Sequence, residues 1–211
     1  MENSKDISMA VVRRLPRYYR YLEDMLARGV TRASSAELSR SMNATASQIR
    51  QDLSNFGSFG QQGYGYNVEM LRDEIKKILG LDKEYRLILI GAGALGQALV
   101  RYEKFEKKGF RFTGLFDNDP NRIGTFIRDI EVWDVQRLQS FLSGNPVDIA
   151  VFTLPRDGAE KALDIVTGAG VKGIWNFSYR DLRISGGTKV ESVHLTDSLM
   201  TLSYMLSEGN K

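Results

Sequence analysis

The most informative part of this sequence is Leu87-Ile88-Leu89-Ile90-Gly91-Ala92-Gly93-Ala94-Leu95-Gly96. An apolar run is followed at once by Gly-x-Gly-x-x-Gly, which is typical of a strand that turns tightly into a helix. Gly91 permits the turn, Gly93 lets backbone N–H groups approach a pyrophosphate, and Gly96 lets the helix pack closely on the strand. The positive N-terminus of that helix favours the pyrophosphate charge. We therefore predict a dinucleotide site formed by Gly91, Ala92, Gly93, Ala94, Leu95 and Gly96.

An acidic residue follows at the distance expected for contact with an adenosine ribose. Asp117 closes the next apolar run, 21 residues after Gly96. Its carboxylate would accept hydrogen bonds from the ribose hydroxyls and would repel a 2′-phosphate, which favours NAD over NADP. Gly-x-Gly-x-x-Gly alone is weak evidence, because a tight turn in an α/β domain that binds nothing has the same pattern. The strand before it, the helix after it and the acid favour a true dinucleotide site.

Strands and helices alternate through the rest of the C-terminal segment. Apolar runs at 110–116, 147–154 and 171–177 alternate with helical patterns at about 134–143 and 156–169. This alternation predicts a parallel sheet with right-handed crossovers, in which ligands bind beyond the carboxyl ends of the strands. Residues at two such ends are either candidates for the nicotinamide side or ordinary strand ends. They are Thr153, Leu154, Pro155, Asn176 and Phe177.

The positive charge of the chain is concentrated near its N-terminus. The 211 residues carry a net charge of +3. Residues 1–80 contain 12 Lys and Arg against 9 Asp and Glu, whereas the remainder contains 17 of each. The excess is modest, but its placement indicates an anionic partner for the N-terminal segment.

Helix start and stop signals in the same segment predict a helix-turn-helix. Pro16 suits the first turn of one helix, and Gly29 ends that helix. The stretches 34–37 and 45–48 read as capping boxes that begin a second and a third helix only a short turn apart.

The third helix has one apolar and one polar face. Ala46, Ile49, Leu53 and Phe56 recur at helical spacing and would pack against a core. The opposite face suits base edges and phosphates in a major groove, although an ordinary solvated face has the same composition. Its side chains are Ser47, Gln48, Arg50, Gln51 and Ser54.

Glycines alternate with aromatic residues at 56–66, directly after the third helix. This pattern predicts a β-hairpin, and a hairpin after a helix-turn-helix makes a winged helix; the alternative is a flexible glycine loop. Gln61, Gln62 and Tyr64 would meet DNA from this wing. Asn67 then caps a helix that runs through Leu79, with Met70, Leu71, Ile75 and Ile78 on its apolar side.

The terminal segment is helical in pattern over 196–206, with apolar residues on more than one face. Such a helix needs a large cover, either its own domain or, as we expect, a second copy in a homodimer with exchanged helices. The sequence thus predicts a winged-helix DNA-binding domain at 1–80, a Rossmann domain at 81–195 and a dimerisation helix at 196–211.

Composition excludes several kinds of site. The chain has no cysteine and a single histidine, His194, so disulfides, thiolate metal sites and multi-histidine metal sites are excluded. No apolar run reaches the ~18 residues of a membrane span, and a cytoplasmic location is expected. No substrate domain or convincing acid–base group is evident, so a protein that senses a dinucleotide is favoured over an NAD-dependent oxidoreductase.

Several motifs together resemble the Rex family of bacterial redox-sensing transcriptional repressors, nearly from end to end. They are Arg50-Gln51-Asp52-Leu53, Phe56-Gly57-Ser58-Phe59-Gly60, Gly63-Tyr64-Gly65-Tyr66-Asn67-Val68 and the glycine motif. The resemblance implies a homodimer with an α+β winged helix, a central NAD(H)-binding α/β Rossmann domain and a swapped C-terminal helix. It also implies a repressor that binds palindromic operator DNA when NADH is scarce and releases it when NADH binds.

The resemblance also assigns coupling residues and reveals departures. Arg20 and Tyr102 match positions that couple the nicotinamide end to the DNA-binding domain. Gln61 and Gln62 stand where the family usually has Lys-Arg. His194 stands where the family usually has an aspartate that pairs with the arginine matched by Arg20, and a histidine cannot form that ion pair. A repressor with an altered or purely structural dinucleotide response therefore stays open as an alternative.

Overall fold

The computed structural model describes residues 7–42, 44–57, 60–61, 64–179, 181–182, 184 and 186–208, with backbone only at 60–61 and 156–157. The chain forms two compact units, Met1–Lys83 and Glu84–Lys211. The sequence places the boundary slightly earlier, after Gly80.

The first unit contains a helix-turn-helix followed by a hairpin. In chain order its elements are α1 (Met9–Val12), α2 (Leu15–Ala27), β1 (Arg32–Ala33), α3 (Ser35–Met42), α4 (Ala46–Ser54), β2 (Gly60–Gln61), β3 (Gly65–Asn67) and α5 (Val68–Ile78). The three strands pair antiparallel in the order β1-β3-β2. The predicted winged helix is confirmed, with α4 in the place of the recognition helix.

Side-chain caps set the starts of these helices. Ser34 and Glu37 form the predicted capping box, because Ser34 Oγ accepts from the Glu37 N–H at 3.2 Å and Glu37 Oε2 accepts from the Ser34 N–H at 2.7 Å. Thr45 Oγ1 accepts from the Gln48 N–H at 3.1 Å. The Gln48 side chain does not complete a second box but donates to Asp52.

Helix α5 differs from its prediction in which apolar residues it buries. Asn67 Oδ1 accepts from the Met70 N–H at 3.0 Å and begins the helix as expected. Leu71 and Ile75 are buried, but Met70 is 67% exposed. An apolar stripe in the sequence therefore overstates the width of the buried face.

The second unit is a seven-stranded sheet with helices. Its elements are β4 (Tyr85–Ile90), α6 (Ala94–Arg101), β5 (Phe110–Asp117), β6 (Phe126–Ile127), β7 (Ile130–Asp134), α7 (Leu138–Gly144), β8 (Ile149–Phe152), α8 (Arg156–Gly168), β9 (Gly173–Asn176), β10 (Lys189–Ser192) and α9 (Leu195–Glu208). The strand order is β10-β9-β8-β4-β5-β7-β6, and β6 alone among them runs antiparallel to its neighbour. The predicted Rossmann-like parallel sheet is confirmed.

The central strands are buried on both faces. Ile88 and Ile90 pack into one apolar cluster and Leu87 and Leu89 into another, so side chains alternate across the sheet. Strands covered on both faces read as continuous apolar runs, which is why β4 is evident in the sequence.

Helix α9 does not dock on its own unit. Each of its residues is exposed, and seven large apolar side chains lie in solvent. They are Leu195, Leu199, Met200, Leu202, Tyr204, Met205 and Leu206. Burial of this helix within its own unit, the alternative left open by the sequence, is therefore excluded.

No helix in the described ranges is long and apolar enough to cross a membrane.

Candidate dinucleotide site and DNA-binding surface

The turn between β4 and α6 requires two of its glycines for steric reasons. Gly91 has φ of +101°, which residues with side chains rarely adopt, and a Cβ there would lie 2.7 Å from the Thr153 carbonyl oxygen. At Gly96 a Cβ would collide with the carbonyl oxygen of Gly91 and would lie 2.9 Å from the Leu89 side chain. Gly91 is thus required by the backbone, and Gly96 by the close packing of α6 on the turn.

Gly93 faces open space instead. Its φ of −70° suits any residue, and the nearest heavy atom to a Cβ there is Arg122 Nη1 at 3.9 Å. Gly93 is the N-cap of α6, and the first N–H groups of a helix, here those at Ala94 and Leu95, have no partner within the helix. A pyrophosphate at this point would accept from those groups at the positive end of the helix. The residues present therefore fit a dinucleotide phosphate.

Asp117 is buried within the site, with only 3% of the residue exposed. Its Oδ2 accepts from the Ala92 N–H at 2.6 Å and from Arg122 Nη1 at 3.2 Å, and its Oδ1 accepts from the Asp119 N–H at 2.9 Å. The carboxylate thus ties the end of β5 to the glycine turn. A ribose contact by Asp117 stays a prediction, and the ribose hydroxyls would share these oxygens with three protein donors.

Arg122 belongs to the site although the sequence did not single it out. Its guanidinium lies between Asp117 and Asp119, with Nε 3.4 Å from Asp119 Oδ2. Hydrogen bonds from the backbone and side chain of Asn121 hold the pKa of Asp119 below its ordinary value. Arg122 is the cation beside the open space at Gly93. A cation five residues after the acid that closes a strand is the signal that could have found it.

The strand-end polar residues bind inside the unit. Thr153 Oγ1 donates to the Gly91 carbonyl at 2.5 Å and so supports the glycine turn. Asn176 is fully buried, its Nδ2 donates to Ser192 Oγ at 3.1 Å, and its Oδ1 accepts from Ser178. Both side chains therefore help to hold the backbone at this edge of the sheet.

The apolar candidates are placed differently from one another. Leu154 lines the glycine turn, since its Cδ2 would lie 3.2 Å from a Cβ at Gly91. Pro155 is exposed at the N-cap of α8, and the ring of Phe177 packs against Trp175 with centroids 4.6 Å apart. Thr153 and Leu154 are thus brought to the turn, whereas the hydrogen bonds described for Asn176 go to Ser178 and Ser192.

The predicted coupling residues are accessible within their own units. Arg20 is exposed on α2, and Tyr102, at the C-cap of α6, is 48% exposed. His194 lies just before α9, with Nε2 3.4 Å from Asp181 Oδ1. Asp181 was not foreseen from the sequence, and it gives a protonated His194 a carboxylate partner within its own unit.

Helix α4 presents the predicted polar face to solvent. Ile49 and Leu53 are buried, whereas the predicted core residues Ala46 and Phe56 are only half-buried. Arg50 Nη1 donates to Ser35 Oγ at 2.8 Å, which places this guanidinium beside the start of α3. The five candidate DNA-contacting residues of this helix are all exposed: Ser47, Gln48, Arg50, Gln51 and Ser54.

The wing also carries an arginine, Arg32, that the sequence pattern does not indicate. Tyr64 is 70% exposed, and Arg32 on β1 lies over it with Cζ 6.0 Å from the ring centroid. Arg32 thus places a positive charge at the wing. Of Gln61 only the backbone is described, paired with Gly65, and Gln62 lies outside the described residues.

A buried carboxylate joins α4 to α2, and we call its group of four residues the Asp52 clamp. Asp52 is 1% exposed and receives Arg14 Nε at 2.6 Å, Arg14 Nη2 at 2.7 Å and Tyr18 Oη at 2.6 Å. Gln48 Nε2 donates to the same carboxylate at 3.4 Å. The contacts to Arg14 form a bidentate, charge-assisted pair, which is the strong and directional kind.

Burial and hydrogen bonding shift the protonation of the clamp. Burial alone would raise the pKa of the Asp52 carboxyl, but the hydrogen bonds from Arg14, Tyr18 and Gln48 outweigh it and lower the pKa. Burial, together with the hydrogen bond to Asp52, raises the pKa of Tyr18 to about 12. At neutral pH the clamp therefore holds a carboxylate, a guanidinium and a neutral phenol.

Replacing Tyr18 should make the free energy of unfolding fall less steeply at alkaline pH. The unfolded phenol loses its proton near pH 10 and the folded one near 12, so the stabilisation is full below pH 10 and is lost as pH rises through about 12. Across that window Tyr18→Phe should lose less free energy of unfolding than wild type, by on the order of 2 kcal/mol. Urea denaturation at several pH values measures this free energy. A variant whose free energy of unfolding falls with pH as steeply as that of wild type would contradict the prediction.

Replacing Gly96 should destabilise the second unit. Gly96→Ala forces α6 away from the Gly91 carbonyl, and overpacking of this kind costs about 1–3 kcal/mol of unfolding free energy. Gly168→Ala is the matched control, because a Cβ there meets nothing within 4 Å. The control should be neutral or stabilise by up to about 1 kcal/mol in denaturant titrations. Equal stability of the two variants would contradict the packing argument.

Comparisons with known proteins agree with this geometry. Residues 6–54 match the family described as putative DNA-binding protein N-terminus, and residues 82–179 match the CoA binding domain. The redox-sensing transcriptional repressor Rex of Clostridioides difficile (strain 630) is 55% identical over 209 residues, which are 99% of this chain and 100% of that protein. The Rex repressor of Caldicellulosiruptor bescii is 52% identical, over 99% of this chain and 96% of its own.

Solved structures give the same result. RSP in complex with beta-NAD+ and operator DNA is similar with a TM-score of 0.91 at 54% identity, covering 98% of this chain and 95% of that one. RSP in complex with beta-NADH is similar with a TM-score of 0.90 at 51% identity, covering 98% and 97%. RSP is a Rex-family repressor. Because both the sequence and the fold match over essentially their whole length, the chain belongs to the Rex family of redox-sensing transcriptional repressors.

Proposed function

We propose that this protein is a homodimeric repressor that binds operator DNA and releases the DNA when it binds NADH. The observation that carries the proposal is the pairing, in one chain, of an exposed polar recognition helix with a glycine turn open at Gly93. RSP, which is similar over nearly the whole chain, was crystallised with beta-NAD+ and operator DNA and also with beta-NADH.

DNA would be read by α4 and held at the wing by Arg32. The exposed face of α4 suits the major groove, with Gln48, Arg50 and Gln51 able to reach base edges and Ser47 and Ser54 able to reach phosphates. Arg32 beside Tyr64 supplies charge at the wing. With glutamines at 61 and 62, the wing neutralises fewer phosphates than a Lys-Arg wing, so we expect a shallower salt dependence.

The dinucleotide would lie across the glycine turn. The first N–H groups of α6 bind its phosphates, and Asp117 with Arg122 forms the adenosine side. The nicotinamide side would be formed near Thr153, Leu154, Pro155, Asn176 and Phe177. The bound nicotinamide supplies two redox states that differ by one positive charge, and the residues around it set how strongly each state is bound.

The coupling between the two sites would operate through the dimer. The exposed apolar side chains of α9 need cover, which a second copy with exchanged helices provides. Dinucleotide binding can shift the dimer between two states only by its difference in affinity for them. One state would space the winged helices to match a palindrome. Arg20, Tyr102 and His194 are the proposed coupling residues.

We infer a cytoplasmic regulator rather than an oxidoreductase. Thr153 and Asn176, the polar side chains at the strand ends, bind within the fold, which suits positioning rather than proton transfer. A repressor with altered discrimination between NADH and NAD+ is the second candidate. It is favoured by His194, which lies beside Asp181 and stands where the family usually has an acid.

Substitution of Arg50 should weaken DNA binding alone. Arg50→Ala removes an exposed guanidinium from α4, and loss of a base-reading contact of this kind costs about 1–3 kcal/mol, or roughly five- to 150-fold in operator affinity. Dinucleotide affinity should not change, because Arg50 lies in the other unit. Fluorescence anisotropy with labelled operator and calorimetry with NADH measure the two affinities. Unchanged operator binding would count against the proposal.

Substitution of Gly93 should weaken dinucleotide binding alone. Gly93→Val keeps an allowed backbone and meets only Arg122 at its Cβ, so the fold should persist while the side chain fills the space for the phosphate. NADH affinity should fall at least ten-fold, with operator affinity in the absence of dinucleotide within two-fold of wild type. Full NADH affinity in this variant would exclude the glycine turn as the phosphate site.

A further inference from the structure

We propose that Asp52 is a positioning residue for base recognition, because its clamp fixes the rotation of α4 on the first unit. The proposal rests on the DNA-binding function proposed above and concerns how that function discriminates between sequences. Asp52 itself is buried, so it acts through the helix that carries it.

The apolar contacts of α4 cannot fix this rotation on their own. Ile49 and Leu53 lie on one side of the nine-residue helix and hold it to the core. Apolar burial is non-directional, so it holds the helix down but resists small rotations and slides only weakly. A recognition helix needs more than that, because hydrogen bonds to base edges depend on distance and angle.

The Asp52 clamp supplies directional contacts that fix the rotation of α4 about its axis. The two Arg14 nitrogens, at 2.6 and 2.7 Å from the two carboxylate oxygens, define a plane, and Tyr18 Oη at 2.6 Å adds a third fixed point. Arg14 and Tyr18 are anchored at the start of α2, which packs against the same core. Rotation of α4 about its axis would break all three contacts at once.

The clamp also reaches the face proposed to read DNA. Gln48 lies one turn before Asp52, is exposed, and donates Nε2 to Asp52 Oδ1 at 3.4 Å. This contact biases the rotamer of a proposed DNA-contacting side chain before DNA arrives. Asp52 therefore fixes both the orientation of α4 and the rotamer of Gln48, one of its proposed DNA-contacting side chains.

Stability alone does not explain a clamp of this kind. Taking a carboxylate out of water is costly, and apolar residues of similar volume often replace a buried ion pair without loss of stability. A fixed orientation is something that apolar residues do not provide. A positioning role and a purely structural role predict different results. A purely structural residue would affect specific and non-specific DNA binding alike, whereas a positioning residue would affect specific binding alone.

The experiment compares one specific and one non-specific duplex. The specific duplex is selected by the wild-type protein from a random-sequence pool, and the other is a scrambled duplex of equal length and composition. Asp52→Asn keeps the shape and removes the charge. Glu74→Gln is the matched control, because it removes a half-buried carboxylate on α5 that pairs with Lys77 in the same unit. Affinities for both duplexes are measured at three salt concentrations, with thermal unfolding of every variant.

We expect Asp52→Asn to bind the selected duplex at least ten-fold more weakly, with affinity for the scrambled duplex within two-fold of wild type and an unchanged salt slope. Glu74→Gln should behave as wild type on both duplexes. Equal losses on the two duplexes, or no loss, would overturn the proposal.

Two further results are decisive. If Asp52→Asn does not fold, Tyr18→Phe, which removes a single hydroxyl from the clamp, is tested in its place. A roughly three-fold loss confined to the selected duplex supports the proposal, and an unaltered ratio overturns it. If the wild-type protein selects no duplex at all, the proposed DNA-binding function fails, and the positioning role fails with it.

Discussion

No side chain fits between Gly96 and the carbonyl oxygen of Gly91, and this steric limit fixes where α6 begins. Because α6 packs directly on the turn, its N-terminus lies at the carboxyl end of β4, the central strand of the sheet. Thr153, from the neighbouring strand, donates to the same Gly91 carbonyl and holds it in place. On the same turn Gly93, the N-cap of α6, faces open space.

Two carboxylates are buried in the part of the chain that the structure describes, and they have parallel roles. Asp117 ties the glycine turn to the end of β5 through the Ala92 N–H, and Asp52 ties α4 to α2 through Arg14. Each lies behind a surface proposed to bind an anion, the dinucleotide phosphate in one unit and the DNA backbone in the other. Each is held by an arginine, so neither leaves an uncompensated buried charge beneath a site that must attract negative charge.

The local features of the fold were predictable from the sequence, and the long-range pairings were not. Glycine spacing predicts the turn at 91–96, and the Ser34 cap predicts the start of α3, because both depend on residues close in sequence. Asp52 and Arg14 are 38 residues apart, and no pattern in the sequence around either residue indicates that they pair. The pairing of Asp181 with His194, 13 residues away, was missed for the same reason. Arg122 differs, because it lies only five residues after Asp117 and that spacing could have indicated it. β10 was missed because a short polar edge strand, such as Lys189–Ser192, has little apolar pattern.

We propose that occupancy by reduced dinucleotide controls DNA binding by this Rex-family repressor. The most direct measurement is the anisotropy of a labelled operator bound to wild-type protein, titrated in parallel with NADH and with NAD+. Release by NADH at concentrations where NAD+ leaves the complex intact is the predicted result. A complex that survives saturation with both dinucleotides, or that both release equally, would contradict the claim.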